Sequence, residues 1–185
     1  MPKVSSEQVT EFQELIGLDP NRPALVILPG SRHSEIQRLL PVFCNTLSQL
    51  DFANLQLIFP TLPHLAALVR DHIQILSQDC FVVTGEGLSA NEAAEQRLVA
   101  FSAAKAALAA SGTVSLELAA VGTPMVIAYN LGLLSRLIIS AMLRVDTVTL
   151  VNLVADTRDV PEFIGKYCRA DLISPALIKL LEDPH

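Results

Sequence analysis

Short apolar runs alternate with segments of helical periodicity along this chain. Residues 5–16 predict a helix, and Leu18-Asp19-Pro20-Asn21 a turn. ALVILPG (24–30) is a buried run ended by Pro29-Gly30. An amphipathic helix is predicted over 34–50, with Ile36, Leu39, Leu40, Phe43 and Leu47 at helical spacing. Ser34 and Gln37 predict a capping box at its start. LQLIFP (55–60) reads as a second strand, 63–76 as a helix and FVVT (81–84) as a third strand. Ser89 and Glu92 form a second capping box, ahead of a helix running to about 104. KAALAAS (105–111) predicts a strand, 113–121 a helix, PMVIAYN (124–130) a strand and 132–144 a helix. TVTLVN (147–152) reads as a sixth strand, and a helix over 174–182 closes the pattern.

Strands that are apolar throughout and separated by helices predict a parallel sheet covered on both faces. The fold class is therefore α/β, a doubly wound sheet, in one domain over 1–185. Such sheets bind ligands at the carboxyl ends of their strands, on the loops that enter the following helices.

Composition narrows the function. Apolar residues make up 51% of the 185 positions and charged residues 17%, which excludes a disordered chain. With 13 basic against 19 acidic side chains, the chain lacks a nucleic-acid grip. Trp is absent and aromatics are 5%, so base-stacking platforms are not expected either. The cysteines, Cys44, Cys80 and Cys168, are odd in number and far apart, which fits buried thiols in a reducing, cytoplasmic compartment. Residues 1–15 lack the apolar core of a signal peptide, and no run is long enough to span a membrane.

Three strand-to-helix loops offer chemistry. In Leu28-Pro29-Gly30-Ser31-Arg32-His33-Ser34-Glu35, Gly30 permits a tight turn before a helix whose amides can cradle a phosphate. Ser31 adds a hydroxyl and Arg32 a planar cation suited to phosphate oxygens. The bland alternative is an ordinary turn with a solvated Arg. Neither a Walker loop nor a nucleophile elbow is present.

Ser111-Gly112-Thr113-Val114-Ser115-Leu116-Glu117 offers hydroxyls, amides and a carboxylate one turn into a helix. Glu117 there can accept both hydroxyls of a ribose. Alternatively, Thr113 caps the helix and Glu117 favours its positive end.

Gly85-Glu86-Gly87-Leu88-Ser89-Ala90 matches GxGxxG/A, yet the next strand ends in Ala109-Ala110-Ser111 without the acid that a dinucleotide site needs. His33 lies in the first loop, His64 and His72 share a helix without acidic or Cys partners, and no metal cluster is expected. The segment 131–144 is apolar nearly all round, interrupted by Arg136 and Arg144, so it either packs inside or meets a partner or membrane surface.

Taken together, LPGSRHSEIQRLLP (28–41), AASGTVSLELAAVGTPMVIAY (109–129) and LVNLVAD (150–156) resemble the C-terminal, donor-binding half of lipid-A-disaccharide synthase. Val160-Pro161-Glu162 also fits that family's pattern. The resemblance implies a Rossmann-like domain that is one half of a glycosyltransferase B fold. It implies an inverting transfer of N-acetylglucosamine, in 2,3-diacylated form, from a UDP-sugar to 2,3-diacylglucosamine 1-phosphate in lipid A biosynthesis. No metal or cofactor is implied.

By match to the family's motifs, Gly30, Ser31 and Arg32 face the diphosphate and sugar. Ser111, Gly112 and Thr113 supply diphosphate contacts, Glu117 holds the ribose and Asn152 lies at the donor sugar or cleft wall. The family's acceptor-binding N-terminal domain, which carries its general base, has no counterpart in these 185 residues. The expected unit is a donor domain, inactive alone, whose partners are a UDP-sugar, that other domain and the inner-membrane surface through 131–144. Lys105 stands where the family shows an acid. Two alternatives are carried. One is a UDP-sugar enzyme of another glycosyltransferase B family, an epimerase or a peptidoglycan transferase. The other is a non-catalytic interaction module.

Overall fold

The computed structural model describes residues 4–182 apart from 51, 53, 131–146 and 148. The helix expected over 132–144, with its membrane or partner role, lies outside the described residues.

Five strands follow the apolar runs: β1 (Ala24–Leu28), β2 (Gln56–Pro60), β3 (Asp79–Val83), β4 (Ala106–Ala109) and β5 (Met125–Tyr129). A sixth, β6 (Glu162–Ile164), completes one sheet of order β3-β2-β1-β4-β5-β6. Every pairing is parallel, as in Leu25 opposite both Leu57 and Ala106. The intervening helices are α1 (Ser6–Ile16), α2 (His33–Leu47), α3 (Ala66–Ile73), α4 (Ala90–Ser102), α5 (Val114–Val121), α6 (Leu150–Ala155) and α7 (Ala170–Glu182).

Alternation along the strands sends neighbouring residues to opposite faces. Leu25, Ile27, Leu57, Phe59, Leu108 and Val126 pack with α2, α3 and α7. Val26, Leu28, Ile58, Ala107, Ala109 and Ile127 pack with α1, α4 and α5. Both faces are therefore dry, which is why these strands read as unbroken apolar runs.

Three expectations require correction. The second half of TVTLVN is helical, since α6 begins at Leu150, and the sixth strand is Glu162–Ile164, paired to β5 with Ile127 opposite Glu162. The chain is turned at this point by Asn152, which is only 1% exposed. Its Nδ2 donates to the Val160 carbonyl and its Oδ1 accepts from the Val160 amide, at 2.9 and 3.1 Å. Glu162 is tied back by the Thr149 hydroxyl and amide at 2.7 and 3.1 Å. Asn152→Ala is expected to lower the unfolding free energy by about 2 kcal/mol, because both Val160 groups lose a partner. Chemical denaturation measures it.

The second correction concerns α2, which starts at His33 rather than at Ser34. Its cap comes from Glu35, not from a Ser34–Gln37 box. The third is the helix expected over 63–76, which is a single 3-10 turn (Pro63–Leu65) followed by α3. The Ser89–Glu92 box is present, with both reciprocal bonds.

Burial pushes the Cys44, Cys80 and Cys168 thiols up to about 11, and for Cys80 the neighbouring Cys44 and Asp79 add to the effect. A thiol held protonated in the fold but free to ionise when unfolded stabilises the fold fully below the unfolded pKa of about 9. That contribution is lost as the pH climbs from about 9 to 11. Unfolding midpoints should therefore fall across that window, and native alkylation at pH 8 should be slow, because only about one thiol in a thousand is then ionised.

Candidate functional site

The strand order reverses between β1 and β4. From β1 the chain steps outward through β2 to β3, then returns through α4 to β4 on the other side. The loops leaving β1 and β4 consequently diverge, and a crevice opens at the carboxyl ends of the strands. A cleft of about 470 Å³ occupies this place. Its walls include Gly30, Ser31, Arg32, Ser111, Gly112, Thr113 and Glu117. Seven of the eight residues singled out in the sequence are thus brought together. Asn152 is not among them, being buried against the Val160 loop instead.

The two helix entrances differ in a way that the motifs did not reveal. At α2 the carboxylate Oε2 of Glu35 accepts from the amides of Ser31 and Arg32, at 3.0 and 3.2 Å. Its Oε1 meets Arg32 Nη1 at 2.8 Å. The positive end of α2 already holds an anion, supplied by its own first turn. The expectation that these amides cradle a phosphate is met instead by an internal carboxylate. Gly30 makes the arrangement possible. Its φ is +121°, and a Cβ there would lie 2.7 Å from both Glu35 Cβ and Oε2.

At α5 the entrance is open. Among the described residues nothing accepts from the amides of Ser111, Gly112 or Thr113. Thr113 sits at the cap position, yet its hydroxyl caps nothing. Ser115 turns back to donate to the Gly112 carbonyl at 2.9 Å. Unpaired amides at a helix start, with the helix dipole behind them, favour an anion.

Glu117, on the first turn of α5, is held from outside that helix. Arg97 of α4 directs Nε and Nη2 to the same oxygen, Oε2, each at 2.9 Å. Arg97 lines the cleft as well. Sequence reasoning missed it, because twenty positions separate it from Glu117 and no motif marks it.

The far wall comes from the ends of β2 and β3, with Thr61, Leu62, Val83, Thr84 and Gly85. Gly85 of the GxGxxG-like loop takes φ +64°, and a Cβ there would come within 2.9 Å of Ala93 Cβ. That loop forms wall, while the unpaired amides are those of the β4–α5 loop. His33 is exposed on α2, and His72 bonds the Leu68 carbonyl, so neither is built into the cleft wall.

Comparison with known proteins places the chain in a family and a fold. The sequence profile described as lipid-A-disaccharide synthetase matches residues 3–185. A lipid-A-disaccharide synthase of Ruegeria pomeroyi is 41% identical over 99% of this chain and 46% of its own length. One from Bradyrhizobium diazoefficiens is 42% identical over 87% of this chain and 40% of its own. The chain thus spans less than half the length of these curated relatives. Among solved structures, the ADP-heptose heptosyltransferase II of E. coli superposes with a TM-score of 0.71 at 14% identity. That match covers 97% of this chain and 52% of the other, and it concerns the fold.

Proposed function

This chain belongs to the lipid-A-disaccharide synthetase family, and from that premise we propose that its cleft binds the UDP part of a UDP-sugar donor. The observation that carries the reading is the open entrance of α5, facing the same cleft as Arg32 and Glu117. A nucleoside diphosphate needs three things from a site: donors for its phosphates, acceptors for its ribose hydroxyls and a surface for its base. The amides of Ser111, Gly112 and Thr113 supply the first, together with the Arg32 guanidinium. Glu117 supplies the second. Leu62, Val83 and Gly85 offer the third on the opposite wall.

The reaction is an inverting transfer of a glucosamine unit acylated at N-2 and O-3 to 2,3-diacylglucosamine 1-phosphate, with UDP as leaving group. The acceptor hydroxyl attacks the anomeric carbon from the face opposite the diphosphate. Negative charge then grows on the leaving phosphate oxygens. Preorganised amides and a guanidinium meet that charge as it develops, which lowers the barrier. The acceptor hydroxyl must also lose a proton. Of the cleft's carboxylates, Glu35 is bonded to the α2 entrance, and Glu117 keeps Oε1 for the ribose. On this reading neither is the general base, which the resemblance assigns to an acceptor-binding half, so the unit described here binds donor without completing transfer.

Titration of this chain with UDP, followed by calorimetry or amide NMR with ADP as the control, tests the reading. Saturable binding is expected with a dissociation constant between about 10 μM and 1 mM, since an open half-cleft buries little of the ligand. Gly112, Thr113 and Glu117 should shift most. Equal binding of ADP would assign the cleft to nucleoside diphosphates at large, and no binding at millimolar UDP would overturn the proposal.

A further inference from the structure

Arg97 is assigned no part by the motifs, yet it is the cation that holds Glu117. We propose that Arg97 is a positioning residue for recognition of the ribose diol, an inference that rests on the donor-site reading above. Both of its bonds, from Nε and Nη2, converge on Oε2 of Glu117 at 2.9 Å. Among the described residues, Oε1 has no partner. A carboxylate gripped by one oxygen presents the other in a fixed direction, with its lone pairs available for two vicinal hydroxyls. Were the guanidinium to grip both oxygens side by side, as Arg–carboxylate pairs frequently do, that capacity would be spent.

The pair is also placed to act on ligand rather than on stability. Its two side chains are 41% and 32% exposed, and both line the cleft. Pairs this accessible contribute little to folding. They come from different helices, α4 and α5, so the orientation of Glu117 depends on how those helices pack. A lysine at 97 would restore the charge but not the planar fork that fixes one oxygen.

The test compares UDP with 2′,3′-dideoxy-UDP, which lacks the diol. In the unaltered chain UDP should bind about tenfold more tightly or better, since a single hydrogen bond to a charged group is worth that much. Arg97→Gln should bring that ratio close to one while changing the affinity for 2′,3′-dideoxy-UDP less than about threefold. Arg97→Lys should recover part of the ratio. In a Glu117→Gln background, Arg97→Gln should change the ratio no further, because the two residues act as a unit. Thermal melting should be nearly the same for all variants. If Arg97→Gln weakens both nucleotides equally, Arg97 acts on the phosphates and the proposal fails. If the tenfold ratio persists in Arg97→Gln, the proposal fails while the donor-site reading stands. If the unaltered chain binds neither nucleotide, both readings fall together.

Discussion

Gly30→Ala is expected to cost about 3 kcal/mol of folding stability and to loosen the β1–α2 loop. Two effects act at once. At φ +121° an L side chain is strained, by about 1–2 kcal/mol. The added Cβ would also stand 2.7 Å from both Cβ and Oε2 of Glu35, so Glu35 must move. Glu35 cannot move without releasing the amides of Ser31 and Arg32 and the Arg32 guanidinium. The start of α2 then loses its cap. In a chain of 185 residues the loss corresponds to a fall in melting temperature of about 6–12 °C. Calorimetric melting measures it, and a shift below about 2 °C would mean that Glu35 is not held as described.

Arg32→Ala should raise the dissociation constant for UDP-N-acetylglucosamine about tenfold, without lowering stability. The side chain is 76% exposed, so its ion pair with Glu35 adds little to the fold. A charged hydrogen bond to a phosphate oxygen is worth about 1.5–3 kcal/mol, and leaving Glu35 offsets part of that. The salt dependence of binding should flatten as the cation is lost. Glu35→Gln should act in the opposite direction. A neutral amide oxygen can still accept from Ser31 and Arg32, but Arg32 is then free for the ligand, so affinity should rise severalfold. An unchanged dissociation constant in Arg32→Ala would remove Arg32 from the donor site. A looser complex in Glu35→Gln would show that the carboxylate supports the ligand instead of competing with it.

These two predictions meet at a loop whose position was legible and whose chemistry was not. Pro29-Gly30-Ser31-Arg32 announced a strand-to-helix turn, but which side chain caps that helix depends on rotamers. Glu35 reaches back and Ser34 does not. The same holds at the second loop. Thr113 fits an N-cap by residue type, yet its hydroxyl caps nothing, which among the described residues leaves the entrance open to a ligand.

β1, β2, β4 and β5 were legible because both faces of the sheet are buried there, so each is a nearly uninterrupted apolar run bounded by turn residues, and the half-buried edge strand β3 was legible from its apolar Phe81-Val82-Val83. β6 was not. It is three residues long, half-buried and at the sheet edge, where burial imposes no pattern. The β-branched run TVTLVN looked more like a strand than EFI does. Tertiary contacts overrode that preference: Asn152 holds the Val160 loop, and the edge of β5 is filled by the later segment.

Local sequence thus determined the α/β class, the parallel sheet and two of the loops at its carboxyl edge, because periodicity and turn chemistry act over a few residues. Only the tertiary structure decided which helix entrance is open among the described residues, that Asn152 clamps the Val160 loop, and that Arg97 holds Glu117. Each of those depends on side chains brought together by packing, from the first turn of one helix to a pair on separate helices, and charge pairing at a few ångströms leaves no periodic trace in the chain.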